Sequence, residues 1–289
     1  LPRDVRSAAA NCGITGLAAV PTLWTQLATL DWPEEAIESL RYLTSSGGAI
    51  PSPTLKKLRT TFVHSRIYLM YGLTEAFRST YLPPEELDRR PNSIGKAIPN
   101  VEIAVVHSDG SPCQPDEPGE LVHAGPLVAQ GYWNNEEKTR HHFRPVPPCM
   151  KQYPEYKLGV WTGDMVTRDA EGFLYFVGRK DDMIKTSGYR VSPTEVEEVV
   201  YGSGLVAGTA ALGLAHATLG QAILLVATHS ENGPAGTELE EALLAHCKKE
   251  LPNFMVPQAI IARESLPHNQ NGKIDRRALS DEYQDIFQD

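Results

Sequence analysis

Arg41-Tyr42-Leu43-Thr44, Ser45-Ser46-Gly47-Gly48-Ala49, Pro53 to Phe62 and Ile67 to Met70 follow one another in a short span of this chain. They read as a strand, a tight loop, a helix and a second strand. Strands joined by a helical crossover run parallel, so the span predicts a βαβ unit. In sheets of this kind ligands bind where loops leave the carboxyl ends of the strands. Those loops are Ser45 to Ala49 and Tyr71 to Glu75, and both are expected to face one site.

Working outward, the pattern changes at Ser93. Up to Gly178, short apolar runs alternate with turn signals: Val101 to Val106, Asp109-Gly110, Glu120 to His123, Trp161 to Val166, Glu171-Gly172 and Phe173 to Val177. This predicts a small β-rich subdomain, with the proline-rich Pro145 to Tyr156 as a loop. Beyond Gly178, helices are expected from Pro193 to about Val200 and from Thr237 to Leu251, and a strand from Gln258 to Arg263. Between them, Val199 to Ser230 contains no Asp, Glu, Lys or Arg. Its length would permit a transmembrane helix. Five glycines, His216, Gln221 and His229, and a polar break from His216 to Gly220 favour two buried strands joined by a turn. A domain boundary is placed near Arg179 to Asp182, giving domains of residues 1–180 and 181–289.

With 289 residues the chain has room for two domains, each with its own core. Lys plus Arg total 27 against 36 Asp plus Glu, a formal charge of -9, which argues against a general binder of nucleic acid or anionic membrane. Cys12, Cys113, Cys149 and Cys247 lie far apart and form no Cys-x-x-Cys pair, so spacing suggests neither zinc nor a disulfide framework. Free thiols in a reducing cytoplasm fit this usage. No signal peptide is visible, and the chain opens on Leu1-Pro2-Arg3, so it reads as a piece of something longer.

The chemistry is spread over several short motifs. Pro267-His268-Asn269-Gln270-Asn271-Gly272-Lys273 is an Asn-Gly turn that presents one lysine, Lys273, at a loop tip, suited to a transient negative charge. Taken alone it is a solvated turn with a surface lysine. Tyr71-Gly72-Leu73-Thr74-Glu75 combines an aromatic ring, a flexible glycine, a hydroxyl and a carboxylate. The Tyr71 ring can stack on a purine, the Thr74 hydroxyl can bond a phosphate oxygen, and the Glu75 carboxylate can hold magnesium beside that phosphate. Thr162-Gly163-Asp164 offers a carboxylate after a turn, suited to the two hydroxyls of a ribose. Gly178-Arg179-Lys180-Asp181-Asp182 adds a second ribose or phosphate contact, and Lys185-Thr186-Ser187-Gly188-Tyr189-Arg190 a glycine loop where a narrow ligand can pass close to the backbone. Each motif by itself is common.

In this order the motifs resemble the adenylate-forming superfamily of acyl-CoA synthetases, nonribosomal-peptide adenylation domains and luciferases. The likeness runs from Val20-Pro21-Thr22 through Gly47-Gly48-Ala49, Tyr71 to Glu75, Gly119-Glu120-Leu121, Gly131-Tyr132-Trp133, Thr162 to Asp164 and Gly178 to Glu198 to Asn271 to Leu279. Ser187 to Glu197 is most similar to the CoA ligases. Tyr71 to Pro84 further resembles the bacterial AMP-forming acyl-CoA ligases that accompany exosortase systems. The resemblance implies an α/β and α+β fold: the C-terminal part of a large adenylate-forming domain (a βαβ unit plus a β-rich subdomain), then a small mobile α+β C-terminal domain.

It also implies a two-step reaction on a fatty or other carboxylic acid. The carboxylate attacks the α-phosphate of ATP to give an acyl-adenylate and pyrophosphate, and the thiol of coenzyme A then displaces AMP. Under this likeness Lys273, Thr74 and Glu75 are catalytic, with Thr74 on phosphate and Glu75 holding magnesium. Tyr71, Gly72 and Gly47, Gly48 and Ala49 line the adenine side, and Asp164 with Arg179 grips the ribose. Asp181 is the hinge about which the small domain rotates, and Gly188 leaves room for the pantetheine arm. Trp24, Val20, Gly47 and Leu73 border the acyl pocket.

One departure stands out. The Ser/Thr/Gly-rich phosphate loop ending in lysine is absent, and Ser45 to Ala49 is too short to replace it. The chain is therefore expected to be the C-terminal part of a ligase about twice its size, and not to catalyse adenylation alone. A carrier-protein phosphopantetheine in place of free CoA, or a noncatalytic nucleotide or acyl binder, are the other readings of the same residues.

Overall fold

The computed structural model describes residues 2–231, 233–269 and 272–288. The chain divides into two compact units, Leu1–Ile50 with Leu58–Lys180, and Pro51–Lys57 with Asp181–Asp289. The first unit begins with α1 (Pro2–Asn11), β1 (Gly16–Ala19), α2 (Pro21–Ala28), α3 (Glu34–Ser39) and β2 (Tyr42–Ser45). Helix α4 (Ser52–Thr61), whose residues are shared between the units, leads to β3 (Arg66–Leu73). Then come β4 (Ala76–Leu82), β5 (Ser93–Ala97), β6 (Glu102–Val106), β7 (Gly119–Ala124), α5 (Glu136–His142), β8 (Phe143–Pro145), β9 (Leu158–Arg168) and β10 (Leu174–Arg179).

The predicted βαβ unit is present: β1, β2 and β3 pair in parallel, with Leu43 beside both Leu17 and Ile67. The β-rich stretch is continuous with it. One ten-stranded sheet runs β1-β2-β3-β4-β5-β10-β9-β7-β6, with β8 on β9. Strand β5 joins the halves, pairing with β4 through Ala97 and Lys96 and with β10 through Gly95 and Ser93. Gly95 has φ +84°, and a Cβ there would lie 1.8 Å from the Tyr81 carbonyl oxygen, so only glycine fits. Strand β7 is buried along its whole length. Val122 and Ala124 pack with Trp161 and Met150 in one apolar cluster, and Leu121 with Val166 and Leu174 in another.

The second unit contains β11 (Ile184–Thr186), β12 (Tyr189–Val191), α6 (Pro193–Gly202), β13 (Val206–His216), β14 (Gly220–His229), α7 (Gly236–Glu250), β15 (Ala259–Arg263) and α8 (Arg276–Glu282). The uncharged run forms the antiparallel β13–β14 hairpin, in register from Gly208–Thr228 to His216–Gly220, with a bulge between Val206 and Gly208. Its lack of charge has a packing cause. Ile223, Leu225 and Ala227 face a core with Val196, Val200, Leu239 and Leu243 of α6 and α7, while Leu224 and Val226 face a core with Leu266 and Leu279. A strand covered on both faces reads as a continuous apolar run. Strand β15 adds in parallel to β14. Among the described residues no helix is long and apolar enough to cross a membrane.

Candidate active site

Strand β3 runs farther than the sequence suggests and carries Tyr71, Gly72 and Leu73, which were expected in a loop. Only Thr74 and Glu75 turn, because Leu73 pairs with Ala76 and β4 returns antiparallel. Gly72 is explained by this hairpin. A Cβ there would lie 2.7 Å from the Arg78 backbone nitrogen, so its bareness lets β4 approach. Ser45 pairs with Leu69, so Gly47, Gly48 and Ala49 leave β2 beside the end of β3.

Asp164 likewise lies inside β9, not after a turn. Gly163 before it takes φ +72°, and Asp164 stands directly opposite Arg179 at the end of β10. The Tyr71 hydroxyl donates to Asp164 Oδ2 at 2.5 Å, and Arg179 Nη1 lies 3.5 Å from Asp164 Oδ1. The Asp164 N–H donates to Thr162 Oγ1, whose hydroxyl in turn donates to the Leu121 carbonyl. Asp164 is 6% exposed and Tyr71 is half-buried. Burial, then the Asp164 charge and hydrogen bond, push the Tyr71 hydroxyl well above its ordinary pKa, so it remains a donor.

Glu75 is tied to the segment before α5. Its carboxylate accepts a short hydrogen bond from the Tyr132 hydroxyl, and its carbonyl accepts from the Ala129 N–H at 2.8 Å. Burial and Glu75 raise the Tyr132 pKa, keeping that proton on the tyrosine. Lys138 Nζ sits 4.1 Å from the Tyr132 ring centroid. A half-buried carboxylate oriented by one donor is a fitting magnesium ligand, since that ion takes one or two carboxylates and completes its shell with phosphate and water. Glu120, 6% exposed, accepts from the Gly163 N–H at 3.1 Å and pairs with Lys180 at 3.3 Å and Arg144 at 3.8 Å. Tyr132, Glu120 and Lys180 had no assigned role in the sequence. Their only signal was membership of Gly131-Tyr132-Trp133, Gly119-Glu120-Leu121 and the charge run after Gly178.

The remaining candidates belong to the segment from Lys180 onward. Asp181 is exposed in the turn between β10 and β11. Ser187 (φ 51°) and Gly188 (φ 83°) form a two-residue turn between Thr186 and its partner Tyr189, with both central residues left-handed, as hairpins of this type require. Among the described residues, and apart from its own chain neighbours, nothing lies within 4 Å of a Cβ built on Gly188. Lys273 is exposed, its N–H bonded to Asn269 Oδ1 at 3.1 Å and its carbonyl accepting from the Asn269 N–H at 2.8 Å. Gln270 and Asn271 of the expected Asn-Gly turn lie outside the described residues. Gly272 has φ 73°. Arg276 anchors the chain just beyond, with Nη2 2.5 and 2.6 Å from the two oxygens of buried Glu197.

A mixed sheet that brings a tyrosine of β3, a carboxylate inside β9 and a guanidinium at the end of β10 together, followed by a smaller α+β unit, defines a class that sequence comparison makes explicit. The chain belongs to the adenylate-forming AMP-binding enzymes: residues 2–133 match the AMP-binding enzyme family and residues 195–273 its C-terminal domain. It is similar to the long-chain-fatty-acid–CoA ligase of Escherichia coli O157:H7, 31% identical over 286 residues, covering 97% of this chain and 48% of the relative. Among solved structures it is similar to ATP-bound MatB from Rhodopseudomonas palustris, with TM-score 0.85, 26% identity, and 99% of this chain and 54% of that one covered. It is also similar to the o-succinylbenzoate CoA synthetase MenE of Bacillus subtilis with its acyl-adenylate intermediate, with TM-score 0.79, 28% identity, and coverage of 96% and 53%. The chain spans about half the length of the curated relatives it matches.

Proposed function

We propose that this chain supplies the nucleotide-gripping and thioester-forming residues of an AMP-forming acyl-CoA ligase. The observation that carries the reading is the Tyr71–Asp164–Arg179 cluster, in which a buried carboxylate inside β9 is held between a hydroxyl donor and a cation. A carboxylate so fixed can accept from both hydroxyls of a ribose, and charge-assisted hydrogen bonds of this type are the strong ones. Arg179, half-exposed, reaches the same place. The Thr74 hydroxyl on the β3–β4 turn contacts phosphate, and Glu75 beside it holds magnesium, which when bound offsets phosphate charge.

Two anions must meet in the first half-reaction, the acid carboxylate and the α-phosphate. Lys273 neutralises that crowding and stabilises the developing charge. In the second half-reaction the CoA thiol gives its proton to water as the sulfur bonds the acyl carbon, and AMP leaves with the electrons of the broken acyl–oxygen bond on its phosphate oxygen. The open Gly188 turn gives the pantetheine arm passage along the backbone, with rotation about Asp181 exchanging the Lys273 and Gly188 loops. The 289-residue chain does not adenylate alone, because no Ser/Thr/Gly-rich loop ending in lysine occurs in it.

Calorimetric titration of the chain with AMP and acyl-adenylate analogues tests the binding half of this reading. Binding that Asp164→Ala removes supports it, and equal affinity in both proteins overturns it. Carboxylate-dependent ATP–pyrophosphate exchange tests the catalytic half. An enzyme-like rate from this chain alone would contradict the need for an additional phosphate loop.

A further inference from the structure

The connection between β6 and β7 folds into a small arch that gathers three metal-ligating side chains. His107 directly follows β6, and the chain turns at Gly110, whose N–H donates to the His107 carbonyl at 3.0 Å. It returns along β6, with Cys113 N–H to Val105 carbonyl at 3.0 Å, and turns again from Gln114 to Glu117 before Gly119 opens β7. One ligand atom from each of His107, Cys113 and Glu117 lies within 4.8 Å of the other two. His107 Nε2 is 3.5 Å from Glu117 Oε2, and that same oxygen accepts from the Gln114 N–H at 2.9 Å. Cys113 is 5% exposed at the base of the group, while the imidazole and carboxylate stand half-exposed at its rim. The sulfur is wedged over Gly119, where a Cβ would meet Sγ at 2.4 Å.

We propose that His107, Cys113 and Glu117 form a binding site for one divalent transition-metal ion of the zinc class, with solvent as fourth ligand. A tetrahedral ion with bonds of about 2.0–2.3 Å sets its ligand atoms roughly 3.3–3.8 Å apart. The imidazole–carboxylate separation already matches, and a small closing motion brings in the sulfur. A nitrogen, a thiolate and an oxygen together suit zinc or cobalt and are poor for magnesium or calcium. The Gln114 N–H is an outer partner that orients the carboxylate. On binding, the Cys113 thiol gives its proton to solvent as the sulfur–metal bond forms. Arg168 and Asp109 are the other charged groups acting on this sulfur. Asp109 is already engaged by the Ser111 N–H at 2.9 Å and hydroxyl at 2.6 Å. The cysteine spacing suggested no zinc site, because it shows only cysteine pairs, whereas this arch needs one cysteine with a histidine and a carboxylate. Its effect is to staple the β6–β7 connection immediately before Glu120.

The test is cobalt titration of the chelator-stripped protein, followed by absorbance. The expected result is one equivalent of cobalt, a thiolate-to-cobalt charge-transfer band, the visible bands of a tetrahedral ion, and displacement by zinc. Cys113→Ser should abolish the charge-transfer band. His107→Ala and Glu117→Gln should each weaken binding at least about 100-fold, the upper end of what loss of an outer partner costs. A double Cys12→Ser, Cys149→Ser variant, lacking the two exposed thiols, should behave as wild type. Absence of the charge-transfer band in the wild type, or its survival in Cys113→Ser, overturns the proposal. If Cys113→Ser fails to fold, the half-exposed His107→Ala decides: unchanged affinity there also overturns it.

Discussion

Arg276→Ala strips the partner from a buried carboxylate. Glu197 is 8% exposed; both its oxygens bond Arg276, and it also accepts from the Ala211 N–H at 2.7 Å. Removing one member of a buried pair leaves an uncompensated charge and costs about 3–5 kcal/mol. Burial raises the Glu197 pKa above 4.5, opposed by Arg276 and the Ala211 N–H and reinforced by Asp182. A raised folded pKa gives stability that is fully present below the unfolded value and lost as pH rises through the folded one. Without Arg276 the folded value climbs further, so the deficit is largest near neutrality and shrinks as pH falls toward 4.5. The assay must see the second unit by itself. Trp24, Trp32, Trp133 and Trp161 all lie in the first, so tryptophan fluorescence reports there. Hydrogen exchange of the β13 amides reports on the second, and 3–5 kcal/mol corresponds to a protection loss of roughly two to three and a half powers of ten. Adding Glu197→Gln to Arg276→Ala removes the stranded charge and should recover at least half of the loss. A deficit below about 1 kcal/mol at neutral pH, or one that grows on acidification, would refute the argument.

Lys273→Ala in the intact enzyme should lower ATP–pyrophosphate exchange about 100- to 1,000-fold, the scale for losing one preorganised charge partner, with thioester formation from supplied acyl-adenylate less affected; equal loss of both would remove the assigned role. Asp164→Asn should weaken AMP binding about 10- to 100-fold by calorimetry, as loss of a charged acceptor does, and an unchanged affinity would displace the ribose from this carboxylate. His123 is fully buried, with Nδ1 2.8 Å from Ser79 Oγ and, among the described residues, no hydrogen-bond partner for Nε2, and burial lowers its pKa from 6.5 to about 4. The unfolded chain then takes up a proton that the folded one refuses, so stability is complete above 6.5 and falls by about 3 kcal/mol toward pH 4. His123→Leu should flatten that slope in urea titrations, and identical slopes in both proteins would assign the acid sensitivity elsewhere.

The sequence displayed elements better than it displayed their ends. The βαβ unit and the β13–β14 hairpin were legible because composition and burial agree there, the hairpin lacking charge where both faces are covered. The loop read at Tyr71 to Glu75 contains the β3–β4 turn but starts too early, because Thr74-Glu75 carries none of the Gly, Asn or Pro that would have marked where the hairpin turns. Gly72 and Gly163 read as loop glycines, yet they serve close approach and a left-handed kink inside strands, which spacing alone does not distinguish. Tyr132, Glu120 and Lys180 were invisible for a different reason. Their roles come from cross-strand neighbours tens of residues away, and a half-buried tyrosine or a carboxylate on a strand has no local signature. The same holds for His107, Cys113 and Glu117, which only the returning arch assembles.

Strand β5 is five residues long, and the two parts of the large sheet meet across it. Tyr71 belongs to one part and Asp164 to the other, so the hydrogen bond between them is a second stitch across the same seam. A side chain at Gly95 would pry that seam open, because its Cβ would overlap the Tyr81 carbonyl. Such a variant would disturb the Tyr71–Asp164 hydrogen bond without altering either residue. Each half of the sheet could still fold, and the defect would lie in their alignment.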